Sequence, residues 1–167
     1  MTAKNFARLF VTPVLPYKPG TLDIDEEALR RFIRYFLQPK FVDAGGAIII
    51  NPVAGEIFCL TRAEKKRVVQ IAVEECNGKV PVVAGAIDWT TSGTVEDAID
   101  AKELGADGIF LMPPSGPTDI TIGWDAARHP EIWLDMIEEI DRAVGLPMIA
   151  HPTAPATAGS TGGFPLE

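Results

Sequence analysis

The chain of 167 residues is 47% hydrophobic and 23% charged, with 23 acidic side chains against 15 basic ones and a net charge of -8. This ordinary globular composition, with a sequence pI near 4.8 and no Lys/Arg cluster, excludes nucleic acid and anionic membrane surfaces as partners, because both require concentrated positive charge. The longest apolar runs, such as 47–50, fall far short of the ~20 residues of a membrane span, and residues 1–16 lack the ordered zones of a secretory signal. Cys59 and Cys76 form no disulfide framework, so a reducing, cytoplasmic location is expected.

Short apolar runs alternate along the chain with amphipathic stretches, the pattern of β-α units around a parallel sheet. Residues 9–14 read as the first strand, and Asp25 as the cap of a helix whose Leu29, Phe32, Ile33 and Phe36 share one face. A strand at 47–50 precedes a helix opened by the capping-box pair Thr61 and Glu64. A strand at 81–84 precedes a helix start at Thr94 and Asp97, which have the same spacing, and Gly105 suits its αL C-cap. After a strand at 108–112, Pro130 suits a first helical turn before the Ile132, Met136, Ile137 and Ile140 stripe, Gly145 its C-cap, and 147–150 the fifth strand. Each strand is apolar on consecutive positions, as expected where both faces are covered.

Four helices therefore separate five strands. Strand starts recur roughly every 35 residues, so a closed eight-unit barrel needs about 270 residues, the usual size of that fold. The expected architecture is a partial (β/α)8 barrel, a single incomplete domain over residues 1–167 lacking the last three units. Residues 159–163 read as a loop and 164–167 as the beginning of a further helix, so the sequence reads as an N-terminal portion. A complete five-stranded doubly wound domain is the competing architecture, although the turn after the first strand, Thr12-Pro13-Val14-Leu15-Pro16-Tyr17, carries no glycine-rich phosphate loop.

In either architecture functional groups gather just past the C-terminal ends of the strands. That rule selects Thr12 and Pro13, Asn51 through Glu56, Asp88 and Trp89, Pro113 through Ser115, and His151. His151 can exchange protons near neutral pH, or it is a loop histidine bonded to nearby backbone. The turn from Asn51 to Gly55 either directs N–H groups at a carboxylate or is a plain tight turn. Glu56 is expected to accept backbone N–H bonds and brace that loop. Asp88 and Trp89 either contact a ligand or, the preferred reading, form the hydrophobic hinge of their loop, and His129 reads as a capping residue in preference to a catalytic one. No HxH or HExxH pattern and no Cys spacing supports a metal site.

The succession Val11-Thr12-Pro13, Asp25-Glu26-Glu27-Ala28-Leu29, Gly55-Glu56 and Leu60-Thr61-Arg62-Ala63-Glu64, with Pro81-Val82-Val83-Ala84-Gly85, Thr94 through Ile99, Gly105-Ala106-Asp107-Gly108, Pro113 and Leu146-Pro147-Met148-Ile149, resembles the dihydrodipicolinate synthase and N-acetylneuraminate lyase family. The resemblance implies a TIM barrel, usually tetrameric, in which a sixth-strand lysine forms a Schiff base with pyruvate or a related 2-oxo acid. That lysine is expected beyond Glu167, because Lys4, Lys18, Lys40, Lys65, Lys66, Lys79 and Lys102 fall in the N-terminal segment, a loop or helices.

Other positions depart from the family pattern. Pro52-Val53-Ala54-Gly55-Glu56 stands where the lyases usually carry Gly-Thr-Thr-Gly-Glu, so both hydroxyls are lost, although backbone N–H groups near Ala54 and Gly55 remain able to hold a carboxylate. Pro114 and Ser115 replace paired tyrosines, His151 replaces the fifth-strand tyrosine that moves protons, and residues 152–163 contain no arginine. The resemblance thus implies a divergent aldolase or hydro-lyase for a small 2-oxo acid. Thr12, Val53, Ala54 and Gly55 would line the carboxylate pocket, His151 would transfer protons, and Glu56, Pro113 and Ser115 would support the site. No metal or cofactor is expected, and a homo-oligomer, tetramer or dimer, is expected at full length. The alternative is a catalytically inactive carboxylate-binding or assembly module.

Overall fold

The computed structural model describes residues 8–112 and 129–151. Five strands, β1 (Leu9–Val11), β2 (Gly46–Ile50), β3 (Val82–Gly85), β4 (Gly108–Leu111) and β5 (Met148–Ala150), form one sheet in chain order. Every neighbouring pair is parallel, with Phe10 opposite Ala47, Ile49 opposite Val83, Ala84 opposite Ile109 and Phe110 opposite Ile149. Strand β1 stops at Val11, three residues short of the expected end. Pro13 lacks the N–H that a continuing ladder requires.

The helices are α1 (Glu26–Phe36), α2 (Pro39–Asp43), α3 (Arg62–Cys76), α4 (Thr91–Glu103) and α5 (Glu131–Val144). The expected count of four is corrected by α2, a five-residue helix whose Phe41 ring lies where a Cβ on Gly46 would sit, 2.3 Å away. No helix among the described residues is long and apolar enough to cross a membrane.

Period-two alternation sorts each strand's side chains onto two faces. Ile48, Ile50, Val82, Ala84, Ile109 and Leu111 pack against Leu29 and Ile33 of α1, Val68, Ile71 and Ala72 of α3, Ala98 and Ala101 of α4, and Trp133, Met136 and Ile140 of α5. Ile49, Val83 and Phe110 face the other way, with Ile57, Ile87 and Met112, and Phe10 and Ile149 lie against them. The four long helices therefore cover one face only. Sequential strand order and one-sided helices are the geometry of a barrel segment; a doubly wound sheet reverses its strand order and is covered on both sides. The structure is a curled half-barrel, and β1 and β5 are its edges.

Caps fix the helix starts. Asp25 Oδ1 accepts the Ala28 N–H at 2.9 Å, and Thr61 and Glu64 complete a reciprocal capping box. The expected start at Thr94 is corrected: α4 begins one turn earlier, with Thr90 Oγ1 accepting the Gly93 N–H at 3.0 Å. Asp88 Oδ1 holds the Thr90 N–H, which favours the earlier cap, and Asp97 is drawn inward to Lys65 at 2.7 Å. Gly105 and Gly145 take positive φ just past α4 and α5, as expected. Pro130 occupies the N-cap of α5, and the His129 ring pairs with Glu131 at 3.3 Å; it is not the cap.

Candidate active site at the strand ends

The segment after β2 carries the most unusual backbone in the described residues. Asn51 and Glu56 both have positive φ, 54° and 57°, and between and after them lie two short 3-10 turns, Val53–Gly55 and Ile57–Cys59. Asn51 is buried and its Nδ2 donates to the Lys65 carbonyl at 2.9 Å. Its own carbonyl passes so close to β3 that a Cβ on Gly85 would lie 1.8 Å from it, so only glycine fits there.

Within the turn the Gly55 N–H donates to Pro52 O and the Glu56 N–H to Val53 O, both at 2.9 Å. The Val53 and Ala54 N–H groups make no hydrogen bond among the described residues, and both residues are exposed at the open end of the half-barrel. Gly55 contributes close approach: a Cβ there would meet Pro52 Cδ at 2.9 Å and Pro13 O at 3.8 Å. The tight neighbour is Pro52 within the turn itself; Pro13 O is at ordinary contact range, which places the exposed Thr12 at the end of β1 near the β2 turn.

Glu56 takes a different partner from the one expected. Its Oε2 accepts the Tyr17 hydroxyl at 3.0 Å, tying the loop before α1 to this turn. Burial, reinforced by that carboxylate, pushes the Tyr17 phenol up to about 12. Nothing in the local pattern singles out Tyr17, which lies 39 positions away.

His151 stands exposed just past β5, its N–H donating to Leu111 O at 2.8 Å and its ring centred 5.7 Å from that of Phe110 on the inner face. The ring therefore sits at the rim of the barrel interior. Asp88 braces the α4 cap, and Trp89 is 62% exposed with its ring 6.1 Å from Phe58, so the expected hydrophobic hinge is replaced by an exposed aromatic pair. Pro113, Pro114, Ser115 and residues 152–163 lie outside the described residues.

Lys65, set aside in the sequence as a helical lysine, is buried. Its Nζ donates to Asp97 Oδ2 at 2.7 Å and to Ile87 O at 3.1 Å, with Asp88 Oδ2 at 3.7 Å. Burial pushes the Asp97 carboxyl up against the pull of this ammonium.

A sequence model described as the Dihydrodipicolinate synthetase family matches residues 5–115, which include β1 through β4 and the whole β2 turn. The chain belongs to the dihydrodipicolinate synthetase family. The 4-hydroxy-tetrahydrodipicolinate synthase of Methylobacterium radiotolerans is 30% identical over 155 residues, covering 93% of this chain and 47% of that one. The protein of the same name from Pelobacter propionicus is 36% identical over 111 residues, 65% of this chain and 36% of that one. This family member thus spans about half, or less, of the length of the curated relatives it matches. Dihydrodipicolinate synthase from Aquifex aeolicus superposes with a TM-score of 0.68 at 28% identity, over 86% of this chain and 44% of that one. CdNal from Clostridium difficile, solved in complex with mannosamine, gives 0.76 at 22% identity over 94% and 50%, a likeness of fold alone.

Proposed function

We propose that this chain forms the N-terminal part of a lyase, an aldolase or hydro-lyase, that acts on pyruvate or another 2-oxo acid through a Schiff base whose lysine follows residue 167. The observation that carries this reading is the pair of amides at Val53 and Ala54 that make no hydrogen bond among the described residues, in a turn whose Gly55 and Glu56 N–H groups are already bonded. Two adjacent donors on a fixed backbone suit a carboxylate, and no side-chain hydroxyl is needed for that role. Thr12 adds an exposed hydroxyl near the turn, and Gly55 allows the turn to close on Pro52.

His151 supplies the proton-transfer group at the rim, its imidazole serving as acceptor and donor of the proton. Glu56, with Pro113 and Ser115, has a supporting role. Three further β-α units would pair the open edges of β1 and β5, which otherwise invite association, and the full-length protein is a cytoplasmic homo-oligomer in this reading. The chemistry asks for no metal or cofactor. Borohydride reduction of the full-length protein with pyruvate is expected to leave a covalent adduct on one lysine; a full-length protein that binds no 2-oxo acid and traps none would sink the proposal.

A second reading is favoured by one feature, the apolar Val53 and Ala54 side chains where a proton relay would need hydroxyls. In it the turn holds a carboxylate without turnover. Pyruvate binding with no trapped adduct in the full-length protein selects this reading over the first.

A further inference from the structure

From the cluster around Lys65 we infer that this residue is a positioning residue for the carboxylate-holding turn, an inference that rests on the reading of Val53 and Ala54 above. Lys65 touches both neighbouring strand ends. Its carbonyl accepts Asn51 Nδ2 at 2.9 Å, which fixes the first residue of the β2 turn, while its ammonium donates to Ile87 O at 3.1 Å, just past β3. Asp97 from α4 supplies the third anchor at 2.7 Å. Both side chains of the ion pair are nearly sequestered, at 11% and 7% exposure.

A buried ion pair contributes little net stability compared with an apolar pair of the same volume, because desolvating two charges offsets their attraction; what such a pair can supply is a fixed geometry. Here the ammonium fixes the carbonyl of Ile87, and by anchoring Lys65 between α3 and α4 the pair also sets the Lys65 main-chain carbonyl that holds the Asn51 side-chain amide, so each bond joins a strand end to the same helix. Ile57, the residue after Glu56, belongs with Ile87 to the inner cluster, which gives Ile87 a second, apolar link to the segment after β2. The Asn51 carbonyl, pressed against Gly85, leaves the turn little other freedom. Lys65 touches no substrate in this account and acts through Asn51 and Ile87.

The test uses the full-length chain and two variants. Lys65→Met combined with Asp97→Asn removes both charges, so no buried carboxylate is left uncompensated, whereas Asp97→Asn alone keeps an oxygen acceptor for the ammonium. Amide exchange is followed at residues 51–60, with α1 as the internal reference for global opening. The double variant is expected to speed exchange at 51–60 about tenfold over α1 and to weaken pyruvate binding about tenfold, while the single variant changes both less than threefold. Unchanged exchange at 51–60 in the double variant, or a rise shared equally by α1, overturns the inference. A wild-type chain that does not bind pyruvate would instead sink the carboxylate reading, and the exchange comparison would still decide the role of Lys65.

Discussion

The helical layer and the strand-end turns of this half-barrel are held in contrasting ways. On the outer face, apolar side chains from four helices meet alternate residues of the sheet in one continuous core, and ionic ties cross the helix surfaces. Arg30 and Arg34 reach Glu74 and Glu75, Arg67 reaches Glu26, and Arg62 and Lys66 share Asp100. At the strand ends the apolar burial is a smaller cluster that includes Ile57, Ile87 and Met112. Beyond Ile57, the turn after β2 depends on a few directed contacts: Asn51 to Lys65, Tyr17 to Glu56, and a backbone crossing that admits only Gly85. Packing over a wide area tolerates small errors, and a turn held by single bonds does not. The proposed carboxylate site thus lies where one residue can move the donors.

The sharpest way to break this contrast is to damage each region once. Trp133→Ala removes a fully buried side chain from the outer core and is expected to lower unfolding free energy by about 4 kcal/mol, read from the denaturant midpoint. Gly85→Ala is expected to lower it by about 3 kcal/mol, because the added Cβ must displace the Asn51 carbonyl. The distinguishing result is location: Gly85→Ala should also abolish pyruvate binding at concentrations where most molecules remain folded. An unchanged midpoint in that variant would show the crossing to be soft.

Acidification tests mainly the outer layer. Arg34 holds the Glu75 carboxyl below its ordinary range, Arg62 does so for Asp100, Arg67 for Glu26 and Arg30 for Glu74. For these groups the stabilisation is fully present above the ordinary carboxylate range and is lost as pH falls through their lower folded values. Asp97 acts in the opposite sense, since its raised value favours the fold at low pH and opposes it as pH rises. The lowered groups outnumber it. Stability followed by circular dichroism should therefore fall between about pH 5 and pH 3; a flat profile would mean that the helix-surface ties contribute nothing. The smallest effect is expected from Thr61→Ala, which removes one half of the capping box and costs about 1 kcal/mol.

Much of the outer layer is legible in the sequence because its signals are local. The Asp25 and Thr61 caps act over three residues, the Leu29 and Ile33 spacing is one helical turn, and consecutive apolar residues mark each strand. The failures have the same explanation in reverse. Thr94 and Asp97 have capping-box spacing, yet Asp88 assists the earlier Thr90 cap and Lys65 claims Asp97 from 32 positions away. Tyr17 and Lys65 act across 39 and 22 positions on Glu56 and Ile87, separations at which no periodicity reports a partner. The candidate site is legible from the strand ends, where chemistry gathers, and from the family resemblance, whereas which amides of one turn are bonded and which are not depends on its three-dimensional backbone.

The most direct test of the central claim is an amide-resolved NMR titration of the full-length protein with pyruvate. The account predicts that the Val53 and Ala54 resonances shift most strongly, with smaller changes at Gly55 and Glu56, whose N–H groups are already bonded within the turn. Saturable pyruvate binding that leaves Val53 and Ala54 unmoved would contradict it.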